Sequence, residues 1–306
     1  DAEGTYFLYR FSDPTFVTAS AVLRAVAQAP HVASGWVVDV CGGSGHLTRV
    51  LAGLAAPART LVADVYYWKL WLARRYMAPG VQAVCCDAND PLPFARGLAS
   101  LVVLSDAFPY IWRRRTLAEE LMRLVDARGA LVMPHLHSAL GDNHSAGMTL
   151  SPVAYADLFA PIGPRLFADA PLFEGVVTEA TVDLTAPRAP DAFTDEPSLT
   201  LVASRTPEVF ARRAVPPPVG VQGTLAVNPL YAVAATPGGS TLTLTFPTPE
   251  YEDEFGACRR YLPDTVTLPF PVTAPLEVEP TRTALGARYD DLRRRLVLID
   301  APRRYA

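Results

Sequence analysis

Short apolar runs alternate with stretches of helical period through the first two-thirds of the chain. Residues 36 to 40 form an apolar run rich in valine, which is typical of a strand buried in a parallel sheet. From residue 46 to residue 54 the apolar positions recur every three or four residues, which predicts a helix. The same signals predict strands at 60–64, 81–88, 98–105, 130–137 and 199–204, helices at 67–77 and 113–125, and an extended stretch at 165–177. This alternation predicts an α/β fold with a mostly parallel sheet.

The turn between the first strand and its helix consists of small residues, Cys41 to Gly45. A nucleotide-like ligand can lie across such a turn at the carboxyl end of a sheet, because no Cβ holds it away from the backbone. Dinucleotide-binding enzymes use G-x-G-x-x-G, whereas here Gly43 and Gly45 are followed by three residues without a glycine. For the turn alone, a tight connection that binds no ligand remains the alternative.

Acidic residues end the next three predicted strands. Asp64 follows Gly45 by 19 residues, close to the ~20 at which a carboxylate meets ribose hydroxyls in nucleotide-binding folds. Asp87 ends the third strand and Asp106 follows the fourth. Each of these residues alone could be a surface carboxylate, but their order after the glycine turn is more specific than any one of them.

Residues 38 to 45 resemble motif I of the class I S-adenosylmethionine-dependent methyltransferases, commonly D-x-G-x-G-x-G, with Cys41 in place of the first glycine. Residues 89 to 94 resemble the D-x-x-x-L-P-F stretch that is frequent in methyltransferases of small molecules. The resemblance covers about Tyr6 to Thr206. It implies a doubly wound, mostly parallel seven-stranded sheet whose antiparallel last strand is 199–204, and it implies S-adenosylmethionine as the cofactor.

The resemblance also implies cofactor contacts. They fall on Asp39, Cys41, Gly43, Gly45, Asp64, Asp87, Ala88 and Asp106. In the family, the carboxylate at Asp64 meets the ribose, Asp87 and the backbone of Ala88 meet the adenine, and Asp106 lies beside the methyl group and the acceptor. Four aromatic residues near these positions could contact the sulfonium or simply pack: Tyr66, Tyr67, Phe108 and Tyr110.

Three of the five histidines, His135, His137 and His144, fall within ten positions. Residues two apart on a strand share a face, so His135 and His137 are expected to point together toward the cleft. We predict them as catalytic residues, with one acting as the general base that removes the acceptor proton. Two alternatives stay open, a divalent-metal site and hydrogen bonds inside the fold, and the predicted site residues include no metal ligand.

The predicted domains are a methyltransferase domain at 1–206 that begins with a cap helix at 1–30, a proline-rich linker at 207–222, and a small β-rich accessory segment at 223–306. No motif stands out in the accessory segment. The first residue is not methionine, so the chain could be part of a longer polypeptide.

Composition and charge limit the kinds of partner that we expect for this protein. The formal net charge of −4 gives no electrostatic case for nucleic acid, and no apolar run is long enough to suggest a membrane span. The four cysteines lack the spacing of a zinc site, and free thiols favour a cytoplasmic protein. We therefore expect methyl transfer to a small-molecule acceptor by direct displacement. The alternative is a non-catalytic module that binds S-adenosylmethionine, or a partner, within a larger protein.

Overall fold

A computed structural model describes residues 2–142, 147–215, 224–272, 275–303 and 305. His144 and the triple proline at 216–218 lie outside these ranges. The chain divides into two compact units. Thr18–Val215 form the larger unit, and Asp1–Val17 together with Pro216–Ala306 form the smaller one.

A seven-stranded sheet forms the centre of the larger unit. The strands of this unit are β1 Trp36–Val40, β2 Thr60–Asp64, β3 Gln82–Cys85, β4 Ala99–Val103, β5 Val125–His137, β6 Pro164–Ala168, β7 Thr181–Asp183, β8 Ser198–Ser204 and β9 Arg212–Ala214. The sheet order is β3-β2-β1-β4-β5-β8-β6, and β8 runs antiparallel to both of its neighbours. The predicted fold class is therefore confirmed, including the antiparallel strand near residue 199.

Helices follow most of the parallel strands. Those in the first 180 residues are α1 Ala2–Tyr9, α2 Pro14–Val26, α3 His46–Ala55, α4 Tyr67–Leu72, α5 Arg114–Leu124, α6 Pro152–Leu158 and α7 Asp169–Glu179. Strands β1 and β4 lie in the middle of the sheet, and nearly all of their residues are buried. Helix α5 buries a stripe of leucines, Leu117, Leu121 and Leu124, as its period predicts. The core thus lies between the sheet and its helices, and the carboxyl ends of the strands are left for a site.

Strand β5 is irregular where the two histidines lie. Its register to β8 shifts between Met133 and Leu136, which pair with Leu201 and Leu199. Two residues, Pro134 and His135, therefore stand opposite the single Thr200, as in a β-bulge. Proline cannot donate a ladder hydrogen bond, so a bulge is where a central strand tolerates it.

The expectation of an extended stretch at 165–177 is only partly correct. Strand β6 ends at Ala168, and helix α7 begins at Asp169. The sequence Asp169-Ala170-Pro171 is a helix start, with an acidic residue and a proline in the first turn. Asp169 consequently lies at the carboxyl end of a strand in the main sheet.

The smaller unit contains two three-stranded sheets, both antiparallel. Its elements after residue 223 are β10 Thr224–Val227, β11 Tyr231–Thr236, β12 Gly239–Leu244, α8 Pro249–Phe255, β13 Thr265–Leu268, β14 Leu276–Glu277, α9 Val278–Leu285, α10 Arg288–Arg294 and β15 Leu298–Ile299. No helix within the described ranges combines the length and hydropathy that a membrane crossing requires.

Residues near the N-terminus pack with this smaller unit. The Tyr305 hydroxyl donates a 2.5 Å hydrogen bond to the carbonyl of Leu8, and the Ser12 hydroxyl donates a 2.8 Å bond to the side chain of Asn228. The predicted domains differ from this grouping, because they assign residues 1–30 to the methyltransferase domain. They differ also at β9, which lies in the predicted linker but pairs with β7 in the larger unit.

Candidate active site

The glycine turn after β1 is tight on one side and open on the other. Gly45 has a φ of +88°, and a Cβ there would lie 2.8 Å from the Cβ of Ala73. Gly43 has a φ of +54°, yet the nearest atom to its added Cβ is the Cδ of Lys69 at 3.9 Å. Gly45 is therefore required for packing against the following helical segment, whereas Gly43 presents bare backbone to open space.

Cys41 replaces the first glycine of the family motif at a position where the backbone favours glycine. Its φ is +58°, in the left-handed region that costs an L-residue roughly 1–2 kcal/mol. Burial is the main cause that raises the pKa of the Cys41 thiol far above its ordinary value, and the Asp64 charge adds to it. The thiol stays protonated, so it is a small neutral group beside the turn and not a nucleophile.

Asp39 lies beneath the turn. Its carboxylate accepts a 2.6 Å hydrogen bond from the Thr48 hydroxyl, and a Cβ on Gly42 would lie 2.7 Å from its Oδ2. Burial raises the pKa of Asp39 to about 7; the Thr48 hydrogen bond opposes this shift and the Asp64 charge adds to it. The contacts of Asp39 are therefore with the turn and with α3.

Asp64 connects the turn to the end of β2. One carboxylate oxygen accepts a 2.9 Å hydrogen bond from the Gly43 backbone N–H, and the other accepts a 2.9 Å bond from the Tyr66 N–H. Asp64, which the family resemblance places at the ribose, therefore also holds Gly43, and the bare backbone of Gly43 leaves the turn open. Neither the Thr48 contact with Asp39 nor the Gly43 contact with Asp64 is apparent in the sequence, because one depends on how α3 packs against β1 and the other on the neighbouring strand β2.

Asp87 and Ala88 follow the neighbouring strand β3. Asn89 donates both its backbone N–H and its side-chain amide to Asp87 Oδ1, at 2.8 and 2.9 Å. The backbone hydrogen bond is the main cause that holds the pKa of the exposed Asp87 below its ordinary value, so this carboxylate is ionised at neutral pH. Ala88 is buried beside it. Strands β2 and β3 are parallel and pair at their carboxyl ends, Asp64 with Cys85, so Asp87 and Ala88 follow at the same edge of the sheet as Asp64.

Asp106 meets His137 at the ends of β4 and β5. The His137 Nε2 lies 2.8 Å from Asp106 Oδ1, and the rings of His135 and His137 are 4.9 Å apart. Asp106 and His135 both have positive φ, 55° and 56°. Non-glycine residues in this strained region concentrate at functional sites. The two histidine rings lie next to each other, and a bulge and not regular alternation brings them together.

A second carboxylate pairs with His135. Its Nδ1 lies 3.0 Å from Asp169 Oδ2, and the buried Thr200 hydroxyl donates a 2.7 Å hydrogen bond to Asp169 Oδ1. Neither Asp169 nor Thr200 is among the predicted site residues. An acidic residue at a strand-to-helix junction was the available signal for Asp169, but it fell inside a stretch predicted to be extended.

Asp106, His135 and His137 each offer one atom within 4.8 Å of the others, which is close enough to share a divalent cation. A histidine that binds a metal normally donates its other ring N–H to a partner. In the part of the chain that the structure describes, the buried Nδ1 of His137 has no such partner. The hydrogen-bonded carboxylate–histidine pairs account for these contacts better than a metal site does.

The aromatic residues near the site separate into two groups. Phe108 is fully buried and packs against the rings of Tyr155 and Phe159, so its role is in the core. The other three are exposed: Tyr66, Tyr67 and Tyr110.

Comparison with known proteins agrees with the geometry. Residues 38–133 match the family model described as a methyltransferase domain. No curated protein matches the chain significantly.

One solved structure with a similar fold is a chain of the complex between the Haloferax volcanii Trm112 methyltransferase activator and a methyltransferase, at 20% identity and a TM-score of 0.46, with 67% of this chain and 95% of that chain covered. A methyltransferase from Thermotoga maritima has 12% identity and a TM-score of 0.43, with 67% of this chain and 95% of that chain covered. A methyltransferase from Aquifex aeolicus has 13% identity and a TM-score of 0.44, with 65% of this chain and 97% of that chain covered.

The order of the seven strands and the family match at 38–133 define a methyltransferase domain of class I. The chain therefore contains an S-adenosylmethionine-dependent methyltransferase domain, and the family resemblance found in the sequence is confirmed.

Proposed function

We propose that the larger unit transfers a methyl group from S-adenosylmethionine to a small-molecule acceptor by direct displacement. The observation that carries the proposal is the open backbone of Gly43, held by the carboxylate of Asp64 at the carboxyl edge of the sheet. A Cβ would occupy the space there, and the carboxylate next to it can accept hydrogen bonds from ribose hydroxyls, so the residues fit the cofactor.

The acceptor side would lie at the ends of β4 and β5. Asp106, His135 and His137 converge there, and they supply carboxylate and imidazole groups that can hold an acceptor and receive its proton. Much of the rate would come from holding donor and acceptor in line. A net charge of −4 favours a small acceptor over a nucleic acid, since phosphate binding needs clustered positive charge.

A second candidate is a domain that binds the cofactor and serves a protein partner without turnover. Exposed aromatic residues on and before α4 favour it, because large exposed apolar patches often mark interaction surfaces. This patch consists of Tyr66, Tyr67, Trp68 and Trp71. The strained acceptor-side residues favour catalysis instead, because a pure binding module would gain nothing from keeping them.

Calorimetric titration of the full chain with S-adenosylmethionine, S-adenosylhomocysteine and NADH tests the proposal. We expect micromolar binding of the first two, and we expect Asp64→Asn to weaken it because the variant turns one acceptor atom into a donor. Asp183→Asn, at the end of an unrelated strand, is the matched control. Binding of NADH alone would contradict the proposal, and binding of S-adenosylmethionine without any turnover would support the second candidate.

A further inference from the structure

Exposed hydrophobic side chains of the larger unit lie at one edge of its sheet. Among the described residues of this unit, ten large hydrophobic side chains are exposed to solvent. Five fall within residues 65–71, two are Tyr110 and Trp112, and three are Leu140, Met148 and Val153. They follow strands β2, β4 and β5, which are parallel and end at the same edge. We call these ten residues the carboxyl-edge surface.

The segments of this surface are neighbours in space. The Met148 N–H donates to the Pro109 carbonyl, and the Arg114 guanidinium donates to the Met148 carbonyl, both at 2.9 Å. The segments after β2 and β4 lie on either side of the glycine turn, because β1 lies between those strands. Neighbouring strands are about 4.8 Å apart, so these two segments begin roughly 10 Å apart. Single exposed hydrophobic residues are ordinary on a protein, whereas a set gathered at one edge marks an interaction site.

Helix α4 and the residues after it carry hydrophobic and cationic side chains on one side. Leu70 and Ala73 are buried, whereas Trp71, Arg74 and Arg75 are exposed. Positions three and four apart on a helix are neighbours on its surface, so both arginines lie next to Trp71. The exposed side of this segment is therefore both aromatic and positively charged.

Two of the three segments carry positive charge. The stretch 65–86 contains no acidic residue and three cations, Lys69, Arg74 and Arg75. Arginines also occupy positions 113–115 after β4, and the first of them pairs with Asp90 at 3.4 Å. The chain as a whole has a formal net charge of −4. An anionic partner is therefore attracted at this edge and repelled by the acidic remainder of the chain.

Exposed aromatic rings and cations together match the surface of an anionic lipid membrane. Tryptophan and tyrosine rings settle where headgroups meet acyl chains, and lysine and arginine are attracted to anionic headgroups. Single-stranded RNA would suit the rings and the cations, but it would leave Val65, Leu140 and Val153 without an apolar partner. A protein partner at α4, the second candidate above, would not account for the exposed residues after β4 and β5.

We propose that the larger unit docks on anionic lipid membranes through the carboxyl-edge surface. Its tryptophans enter the headgroup region, and its exposed arginines pair with lipid phosphates. The docking is peripheral and needs no membrane-spanning helix. It goes beyond the proposed function, because neither the surface nor its test involves the cofactor.

Co-sedimentation of the full chain with lipid vesicles tests the docking. Vesicles of phosphatidylcholine with about 30% phosphatidylserine should bind the chain at least about tenfold more tightly than pure phosphatidylcholine vesicles, and added salt should weaken the binding. Trp68→Ala combined with Trp71→Ala should lower the partition coefficient about 10–50-fold, because both side chains lose apolar contact with the lipid. Arg75→Gln should lower it about fivefold.

Two variants at other exposed positions are the matched controls. Arg96 is exposed and lies just before β4, at the opposite edge of the sheet, and Val233 is an exposed hydrophobic residue of the smaller unit. Arg96→Gln and Val233→Ala should bind vesicles as the unaltered chain does. Absence of binding to anionic vesicles, or equal binding by the controls and the Trp68, Trp71 and Arg75 variants, would overturn the proposal.

Tryptophan fluorescence identifies which residues enter the lipid. Trp68, Trp71 and Trp112 belong to the surface, whereas Trp36 begins β1 at the opposite edge of the sheet. Vesicles that contain brominated lipid should quench the unaltered chain. They should not quench a variant in which phenylalanine replaces the three surface tryptophans. Equal fractional quenching of the two chains would overturn the proposed orientation.

Other occupants of the surface have separate signatures. Binding of single-stranded oligouridylate without binding of vesicles, weakened by Arg75→Gln, would replace the membrane with RNA. Self-association in analytical ultracentrifugation without binding of vesicles, removed by Trp71→Ala, would assign the surface to a second copy of the chain. Failure of the proposed function appears elsewhere, as the absence of S-adenosylmethionine binding in a titration that contains no lipid.

Discussion

Asp39 and Asp64 end neighbouring strands and share one sequence pattern, but their surroundings differ. Both carboxylates are buried, but Asp39 accepts from a single hydroxyl, whereas Asp64 accepts from two backbone N–H groups. Burial disfavours the charged form of a carboxylate, and hydrogen bonds to the charged form favour it. The pattern of acidic residues was visible in the sequence, but the side of the turn on which each one lies depends on the fold.

Replacing Asp39 by asparagine is expected to alter how stability depends on pH. The folded pKa of Asp39 is about 7, against 3.8 for an ordinary Asp, so between these values the unfolded chain has lost a proton that the folded chain keeps. Stability from this residue is therefore present below pH 4 and falls as pH rises toward 7, by roughly 4 kcal/mol at most.

Asp39→Asn keeps the bond from Thr48 and removes the titration. Urea denaturation of both chains from pH 4.5 to 7.5 measures the difference, and the variant should gain relative stability as pH rises. If the free energy of unfolding changed with pH by the same amount in both chains, Asp39 would titrate near its ordinary pKa.

Alanine at the two glycines of the turn should separate packing from ligand binding. Gly43→Ala adds a Cβ that meets no atom closer than 3.9 Å, so it should cost only about 1–2 kcal/mol of backbone strain while reducing cofactor affinity. Gly45→Ala adds a collision with Ala73 and should cost about 1–3 kcal/mol more.

Gly163→Ala is the control for these variants, because that glycine also has positive φ, 64°, with nothing within 4 Å. Denaturation measures the stability of each variant, and calorimetric titration measures its affinity for the cofactor. Equal cofactor affinity in Gly43→Ala and Gly163→Ala would remove Gly43 from the binding site.

At the scale of elements, helix α5 fixes the loop that carries the Leu-Pro-Phe stretch. The Arg123 guanidinium donates to the carbonyls of Leu92 and Phe94, and Glu120 accepts from the Leu92 N–H at 2.7 Å. Arg123 and Glu120 also pair with each other, and this hydrogen bond is the main cause that lowers the pKa of Glu120. The helix thereby orders a loop without secondary structure of its own.

Arg123→Met keeps the length of the side chain but removes these donors. We expect a loss of about 2–3 kcal/mol, since hydrogen bonds from charged groups contribute about 1.5–3 kcal/mol each and water replaces part of them. Arg115→Met, on the exposed side of the same helix, is the control and should stay within about 0.5 kcal/mol of the unaltered chain. If both variants lost the same free energy of unfolding, the loop would not depend on α5.

Central elements were predictable and irregular ones were not. The bounds of β1 and β2 agree with the prediction because both strands are buried and end in turn signals. Strand β5 begins at Val125, five residues earlier than predicted. The prediction missed these residues because they form no apolar run: Asp126 and Arg128 interrupt it, and the first four residues are half-buried or exposed. Asp169 was missed because it fell inside a stretch predicted to be extended, although Asp169-Ala170-Pro171 carries the signal of a helix start. Pro134 did carry a usable signal, since proline inside a central strand indicates a bulge.

On the scale of the whole molecule, residues from both ends of the chain build the smaller unit. Tyr305 packs its ring against Phe7 and Phe11 and donates to the Leu8 carbonyl. Burial raises the pKa of the Tyr305 hydroxyl well above its ordinary value, so it remains a donor at physiological pH. No local pattern predicts this pairing, because it joins residues 297 positions apart.

Tyr305→Phe should destabilise the smaller unit by about 1–3 kcal/mol, because it leaves a carbonyl of α1 without its donor while keeping the ring. Differential scanning calorimetry should show a lower transition for this unit. Tyr67→Phe, an exposed position in the larger unit, is the control and should leave both transitions unchanged. A shift of the same size in the control would argue against a specific role for the hydroxyl.

The separation between Leu8 and Tyr305 also sets an order of events during synthesis. Residues 18–215 are continuous, so the methyltransferase domain can complete itself while the remainder is still being made. Helix α1 must wait for 297 further residues before its last partner emerges. At about 5–20 residues per second this delay is roughly 15–60 s, during which the Leu8 carbonyl lacks the Tyr305 hydroxyl as its donor.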